Sequence, residues 1–204
     1  MVTLDTLAEP LLTILLGYLL GSIPFGLVLT RLAGHGDVRE IGSGNIGATN
    51  VLRTGNKRLA AATLILDGAK GAAAVLIVMA LWPDMPQLAP LAGLAAFLGH
   101  LFPVWLRFRG GKGVATLIGV VAALLWQAAI VVAIIWILAL LLTRYSSVSG
   151  MVGAIAAPVA AFLLQRVDLS ILFAGLALLV LWKHRANIGR LLKGTEPRVG
   201  KSSG

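Results

Sequence analysis

Apolar runs of about twenty residues, the length that crosses a bilayer as a helix, recur along the whole chain. One is "LLTILLGYLLGSIPFGLVLT" (11–30), and the densest is "VATLIGVVAALLWQAAIVVAIIWILALLL" (114–142). No soluble core and polar surface can be divided out of such a sequence. Only 12% of its 204 residues are charged, against about a quarter in a soluble domain, and 58% are hydrophobic. Its mean hydropathy is +0.94. A transmembrane β-barrel needs short alternating segments, whereas "VVAIIWILALLL" (131–142) is continuous. The expected fold class is an all-α polytopic membrane protein.

The candidate spans are 10–31, 58–82, 88–105, 113–125, 127–143, 148–165 and 168–184. The stretch 113–143 is too long for one ordinary span. A turn at Trp126–Gln127 splits it and gives seven helices; one long tilted helix gives six. Loop charge arbitrates. With seven spans and the N-terminus outside, Arg31, Arg39, Arg53, Lys57, Arg58, Arg107, Arg109, Lys112 and Arg144 fall inside. So do Lys183, Arg185, Arg190, Lys193, Arg198 and Lys201, fifteen of seventeen basic residues in all. Arg166 alone is outside and Lys70 lies within a span, while Asp5, Glu9, Asp84 and Asp168 face out. Such a bias obeys the positive-inside rule, and six spans would spoil it. The formal charge of +9 is then first a topology signal, not a nucleic-acid footprint.

The start of the chain lacks a basic region before its first apolar run, which argues for a retained helix over a cleaved signal. There are no cysteines, so thiol chemistry is excluded, and His35, His100 and His184 show no zinc spacing. Few carboxylates face inside (Asp37, Glu40, Glu196), so neither a metal nor another cofactor is expected.

Four stretches carry more glycine and polar residues than topology needs, all on the inner face of the seven-span arrangement. They are "IGSGNIGATNVLRTG" (41–55), "GHLFPVWLRFRGGKGVAT" (99–116), "YSSVSG" (145–150) and "KHRANIGRLLKGTE" (183–196). Their convergence predicts one composite site. In the first, glycines permit positive φ and let backbone N–H groups approach an anion. Ser43, Asn45, Thr49 and Asn50 add neutral donors, and Arg53 adds a planar charged fork suited to phosphate. Its G-x-G-x-x-G spacing is weak evidence alone. A dinucleotide turn needs a preceding strand, and here a membrane helix precedes it; a plain interhelical turn is the competing explanation.

In the second stretch, "RGGKG" fails the Walker A spacing, because Leu106 stands where a glycine is required and Gly113 follows Lys112. It still places Gly110, Gly111, Lys112 and Gly113 before a helix, a favourable anion environment. Arg107 and Arg109 are explained as well by snorkelling to lipid phosphate. In the fourth stretch, the last span extends inward and aligns His184, Asn187 and Leu191 on one face, where a lone histidine is as readily structural. Ser149 has an ordinary helix cap as its alternative. Asp67 and Lys70, one turn apart, are expected to neutralise each other.

The motifs "GSIPFG" (21–26), "GSGNIGATNVLRTG" (42–55), "LDGAKG" (66–71), "GHLFPVWLRFRGGKGVAT", "RYSSVSG" (144–150) and "HRANIGRLLKGTE" (184–196) run in order through nearly the whole chain. In them the chain closely resembles the bacterial membrane acyl-phosphate:glycerol-3-phosphate acyltransferases. That family often has Lys where Arg109 stands; the charge is kept. The resemblance implies seven helices, an active site on the cytoplasmic face and a cytoplasmic C-terminus in the bacterial inner membrane. It implies transfer of a fatty acyl group from acyl phosphate to the 1-hydroxyl of sn-glycerol 3-phosphate, giving lysophosphatidic acid and phosphate for phospholipid synthesis. Carried residue by residue, it marks Ser43, Asn45, His184 and Asn187 as catalytic. It marks Gly42, Gly44, Arg53, Gly110, Gly111, Lys112, Gly113 and Ser149 as substrate-binding. Glu196 falls in the last motif, with a structural role as one reading.

Residues 1–196 are expected to form a single transmembrane acyltransferase domain and 197–204 a short polar tail. The partners would be the two small substrates and the bilayer, with no nucleic acid, and the protein would work as a monomer. No Ser-His-Asp grouping, nucleophile elbow or H-x4-D motif is present, so no acyl-enzyme is expected. The base is left open between His184 and a phosphate oxygen of the donor. A transporter for an organic phosphate would also explain basic charge and many helices, but it calls for inverted repeats and a midplane site. A non-catalytic anionic-lipid-binding protein would explain the charge but not the Gly/Ser/Asn loops.

Overall fold

In the computed structural model, described over residues 5–200, every regular element is helical. Lys201 lies outside the described residues. The chain divides after Leu124 into two compact units.

The first unit contains α1 (Asp5–Gly21), α2 (Phe25–Leu32), α3 (Ala48–Val51), α4 (Lys57–Leu81), α5 (Leu88–Leu101) and α6 (Val114–Leu124). The expected span 10–31 is not one unbroken helix. Pro24 has no N–H and fixes its own φ, so the helix stops at Gly21 and restarts at Phe25. The break exposes the carbonyl of Ile23, and the buried ammonium of Lys70 donates to it at 2.7 Å. Irregular backbone is tolerated at membrane depth when protein groups satisfy it in this way. Helix α4 starts where Asn56 accepts the N–H of Leu59 at 3.1 Å, an N-cap.

Small residues set the seams. A Cβ at Gly17 would come within 2.7 Å of the Ala92 carbonyl oxygen, and one at Gly21 would collide with that of Ala96. Helices α1 and α5 therefore pack backbone to backbone through small residues four apart. Gly119 meets the Gly68 carbonyl in the same manner, closing α4 on α6.

The second unit contains α7 (Trp126–Thr143), α8 (Ser146–Leu163), α9 (Val167–Lys183) and α10 (Arg185–Leu192). Leu125 leaves helical geometry (φ −157°, ψ 80°), so the long apolar run is interrupted one residue before the expected Trp126–Gln127 turn. Arg144, in the left-handed region at φ 62°, ends α7. A buried alanine row (Ala154, Ala157, Ala161) lies in α8, which packs against both α7 and α9. The expected inward extension of the last span is corrected: α9 stops at Lys183 and α10 departs from it by 57°, with His184 at the corner.

The surface is apolar and the interior holds charge. Leu142 is 84% exposed while Asp67 is 2% exposed, the distribution of a protein solvated by lipid. Among the described residues, five helical segments are long and apolar enough to cross a membrane, or six with the bent α9–α10 pair; α6 is a shorter apolar helix.

Candidate active site

The glycine-rich loop of the first unit is built around Asn50, which is buried. Its Nδ2 donates to the carbonyls of Val38 at 2.7 Å and Ile41 at 3.1 Å. Its Oδ1 accepts the Ser43 N–H at 3.0 Å and the Ser43 hydroxyl at 3.3 Å. All four arms of one carboxamide are thus spent on closing the loop. Asn45 accepts the N–H of Gly47 at 3.0 Å, a local side-chain turn. Val38, Ile46 and Val51 plug into a small apolar cluster with Leu27, Ala60 and Leu106, fastening the loop to α2 and α4.

Gly42 and Gly44 take φ of 53° and 68°, which side chains disfavour. A Cβ at Gly42 would also run into Nη1 of Arg53. The Arg53 guanidinium therefore lies directly along the glycine turn. Among the described residues it makes no ion pair or hydrogen bond, and it is exposed. The neighbouring cations differ. Asp37 takes Arg31 at 2.7 Å and Arg39 at 2.6 Å, and chiefly the Arg39 hydrogen bond holds its carboxyl far below the usual range. Arg53 is available to an anion where Arg31 and Arg39 are engaged.

In the second stretch the structure redistributes roles. The N–H of Gly110 donates to Leu101 at 3.2 Å and that of Gly111 to His100 at 3.0 Å, so these amides hold the turn instead of facing a ligand. Gly111 packs on the His100 imidazole, and Gly113 (φ 90°) on the Phe97 ring. Lys112 stands between them, half-buried. Asp67 and Lys70 pair at 2.7 Å, the neutralisation expected from their spacing.

In the second unit, Glu196 organises the polar cluster. Its Oε1 accepts from Ser147 Oγ and Asn187 Nδ2, both at 2.6 Å, and its Oε2 from Arg190 Nε at 2.7 Å. Burial pushes this carboxyl up, but the three donors overcome it and hold its pKa below the ordinary value. Ser149 does not cap α8. It lies inside the first turn, donating to the Tyr145 carbonyl at 3.0 Å. His184, buried at the α9–α10 corner, directs Nδ1 to the Val180 carbonyl at 2.8 Å. A carbonyl only accepts, so Nδ1 carries the hydrogen and Nε2 is the basic nitrogen of the neutral ring.

A family model described as glycerol-3-phosphate acyltransferase matches residues 11–194. The chain belongs to this family. The glycerol-3-phosphate acyltransferase of Mesorhizobium japonicum is 58% identical over 190 residues, 93% of this chain and 96% of that protein. That of Brucella ovis is 59% identical over 187 residues, 92% of each. Two crystal structures of PlsY (YgiH), an integral membrane glycerol 3-phosphate acyltransferase, each cover 95% of this chain and 96% of their own. The glycerol 3-phosphate form has a TM-score of 0.88 at 38% identity, and the lysophosphatidic acid form 0.86 at 36%. The protein is an acyltransferase and an integral, multi-pass membrane protein.

Within this acyltransferase the sequence reading underrated Asn50, grouped with the loop donors, and Glu196. Both are buried, Glu196 among exposed residues and Asn50 beside the buried Val51. Nothing in their spacing separates a scaffold amide from a ligand-facing one.

Proposed function

We propose that this acyltransferase moves a fatty acyl group from acyl phosphate to the 1-hydroxyl of sn-glycerol 3-phosphate. The hydroxyl oxygen bonds to the acyl carbon and the acyl carbon–phosphate oxygen bond breaks. Phosphate leaves with that electron pair, and the hydroxyl proton passes to a phosphate oxygen of the donor. The products are lysophosphatidic acid and inorganic phosphate.

The observation that carries this is the unpartnered Arg53 guanidinium laid along the positive-φ turn at Gly42. An exposed fork of fixed charge, beside a turn whose own Ser43 and Gly44 N–H groups are spent on closing it, is suited to phosphate. The glycerol 3-phosphate and lysophosphatidic acid forms of the PlsY relative support the acceptor and the product. Arg53 and Lys112 hold the phosphates and offset their repulsion, Ser43 and Asn45 stabilise the developing oxyanion, and Ser149, His184 and Asn187 position the reactants. Residues 1–196 act as a single transmembrane acyltransferase domain, and the protein works as a monomer.

Counting α6 and α9 as spans gives seven, with the N-terminus outside and the C-terminus in the bacterial cytoplasm. Fifteen of seventeen basic residues then fall on the cytoplasmic side, which supports an inner-membrane enzyme working on that face.

The test is phosphate release from synthetic acyl phosphate by purified protein, with and without glycerol 3-phosphate. Release that depends on the acceptor and yields lysophosphatidic acid is expected. Uptake of labelled glycerol 3-phosphate into sealed vesicles without that chemistry would overturn the proposal in favour of a transporter.

A further inference from the structure

Beneath the Gly110–Lys112 turn lies a buried charged group to which the acyl-transfer chemistry gives no part. Asp67, Lys70 and His100 are 2%, 4% and 4% exposed. Asp67 Oδ1 lies 2.7 Å from Lys70 Nζ and 3.7 Å from His100 Nδ1. Lys70 is anchored on the far side by the Ile23 carbonyl at 2.7 Å, and the Phe25 ring centroid stands 5.8 Å from its ammonium. The Asp67 carbonyl accepts the Thr116 hydroxyl at 3.0 Å, tying α4 to α6 just beyond Lys112.

His100 passes this order to the glycine turn. Its own carbonyl accepts the Gly111 N–H at 3.0 Å. Its imidazole fills the space above Gly111, where a Cβ would run into Nε2 and stand 2.7 Å from Cε1. The residue before Lys112 is therefore held by a backbone bond to His100 and by contact with its ring. The Asp67 carboxylate, which Lys70 holds at 2.7 Å, lies 3.7 Å from the ring's Nδ1 and packs beside it.

Burying an ion pair stabilises poorly against an apolar replacement, so a stability role alone does not account for the arrangement. We propose that Asp67, Lys70 and His100 are positioning residues for Lys112, holding the Gly110–Gly111 turn so that the ammonium stands where a substrate phosphate binds. This rests on the phosphate-binding role given to Lys112 above. The group touches no reacting atom and acts through the turn alone.

The experiment compares Gly111→Ala, His100→Ala, the double variant, Asp67→Asn and Lys112→Ala. Michaelis constants for both substrates, glycerol 3-phosphate binding by calorimetry and thermal stability are measured in detergent. Gly111→Ala and Asp67→Asn are expected to weaken phosphate-substrate binding about ten- to a hundredfold, the scale of a misplaced group, while the protein stays folded. Because His100→Ala opens the space the new methyl needs, the double variant is expected to lose less than the product of the two single losses. If Lys112→Ala is impaired while Gly111→Ala and Asp67→Asn keep parental constants, positioning is overturned and the phosphate role of Lys112 stands. Lower thermal stability with unchanged constants in the folded fraction overturns it equally. If Lys112→Ala itself behaves as the parent, the phosphate role fails and the positioning falls with it.

Discussion

Glu196 accepts the Nδ2–H of Asn187 at 2.6 Å, which decides which way the Asn187 carboxamide points. The same oxygen accepts from Ser147, forty-nine positions away in sequence. A residue at the edge of the last motif thereby joins the start of α8 to α10. Two further contacts bring the following chain back to the same place: Val199 N–H donates to the Arg144 carbonyl at 2.8 Å, and Arg198 Nε to the Tyr145 hydroxyl at 3.2 Å.

The first prediction concerns acid. The Glu196 carboxyl is depressed in the folded protein, so its contribution to stability is present above its ordinary value of 4.5. That contribution is lost as pH falls through the still lower folded value. Glu196→Gln is expected to cost about 2 kcal/mol at neutral pH, through charge-assisted bonds to Ser147, Asn187 and Arg190. The gap in Tm between parent and variant should close as pH drops below about 4. A gap that is constant from pH 7 to pH 3 would contradict it.

The second prediction separates scaffold from ligand contact in the glycine loop. Asn50→Asp keeps an acceptor for Ser43 but removes the donor to the Val38 and Ile41 carbonyls. Leaving those groups unpaired is expected to cost about 1–3 kcal/mol, read by thermal unfolding. Substitution at Arg53, which is exposed and without a partner among the described residues, should leave stability within about 0.5 kcal/mol.

How much of this was visible in the sequence depends on whether the signal was local. The spans could be read because lipid solvation demands continuous apolar length, and the Asp67–Lys70 pair because three residues along a helix bring side chains together. The corner at His184 could not, since no proline or glycine marks it and the helical pattern continues through Asn187. The Glu196 cluster was hidden for another reason: Ser147 reaches it across forty-nine positions, and no spacing rule covers that distance. At Gly110 and Gly111 the glycines were evident, but not that their N–H groups already have carbonyl partners.

The third prediction tests the phosphate clamp by kinetics. Arg53→Ala is expected to raise the glycerol 3-phosphate KM, lower kcat/KM by about ten- to a hundredfold, and leave Tm near the parent's. Arg53→Lys should recover only part of the loss, because an ammonium keeps the charge without the planar fork that lies along Gly42. Unchanged KM and kcat in Arg53→Ala would remove the clamp.

The last prediction concerns the proton. His184 spends its Nδ1 hydrogen on the Val180 carbonyl at 2.8 Å, which fixes the ring at the corner between α9 and α10. If Nε2 were the general base, His184→Asn would be as inactive as His184→Ala, since an amide takes up no proton near neutrality. With the donor's phosphate accepting the proton, the histidine acts by position. Asparagine, whose Nδ2 can take the place of Nδ1 against Val180, should then restore much of what alanine loses. The expected order of kcat is parent, then His184→Asn, then His184→Ala, with the two variants separated by about tenfold or more, the scale of a positioning effect. Single-turnover rates of acyl phosphate consumption at saturating glycerol 3-phosphate measure this directly. Equal, near-zero rates for both variants would return the base role to His184, and parental kcat in His184→Ala would remove the residue from the chemistry altogether.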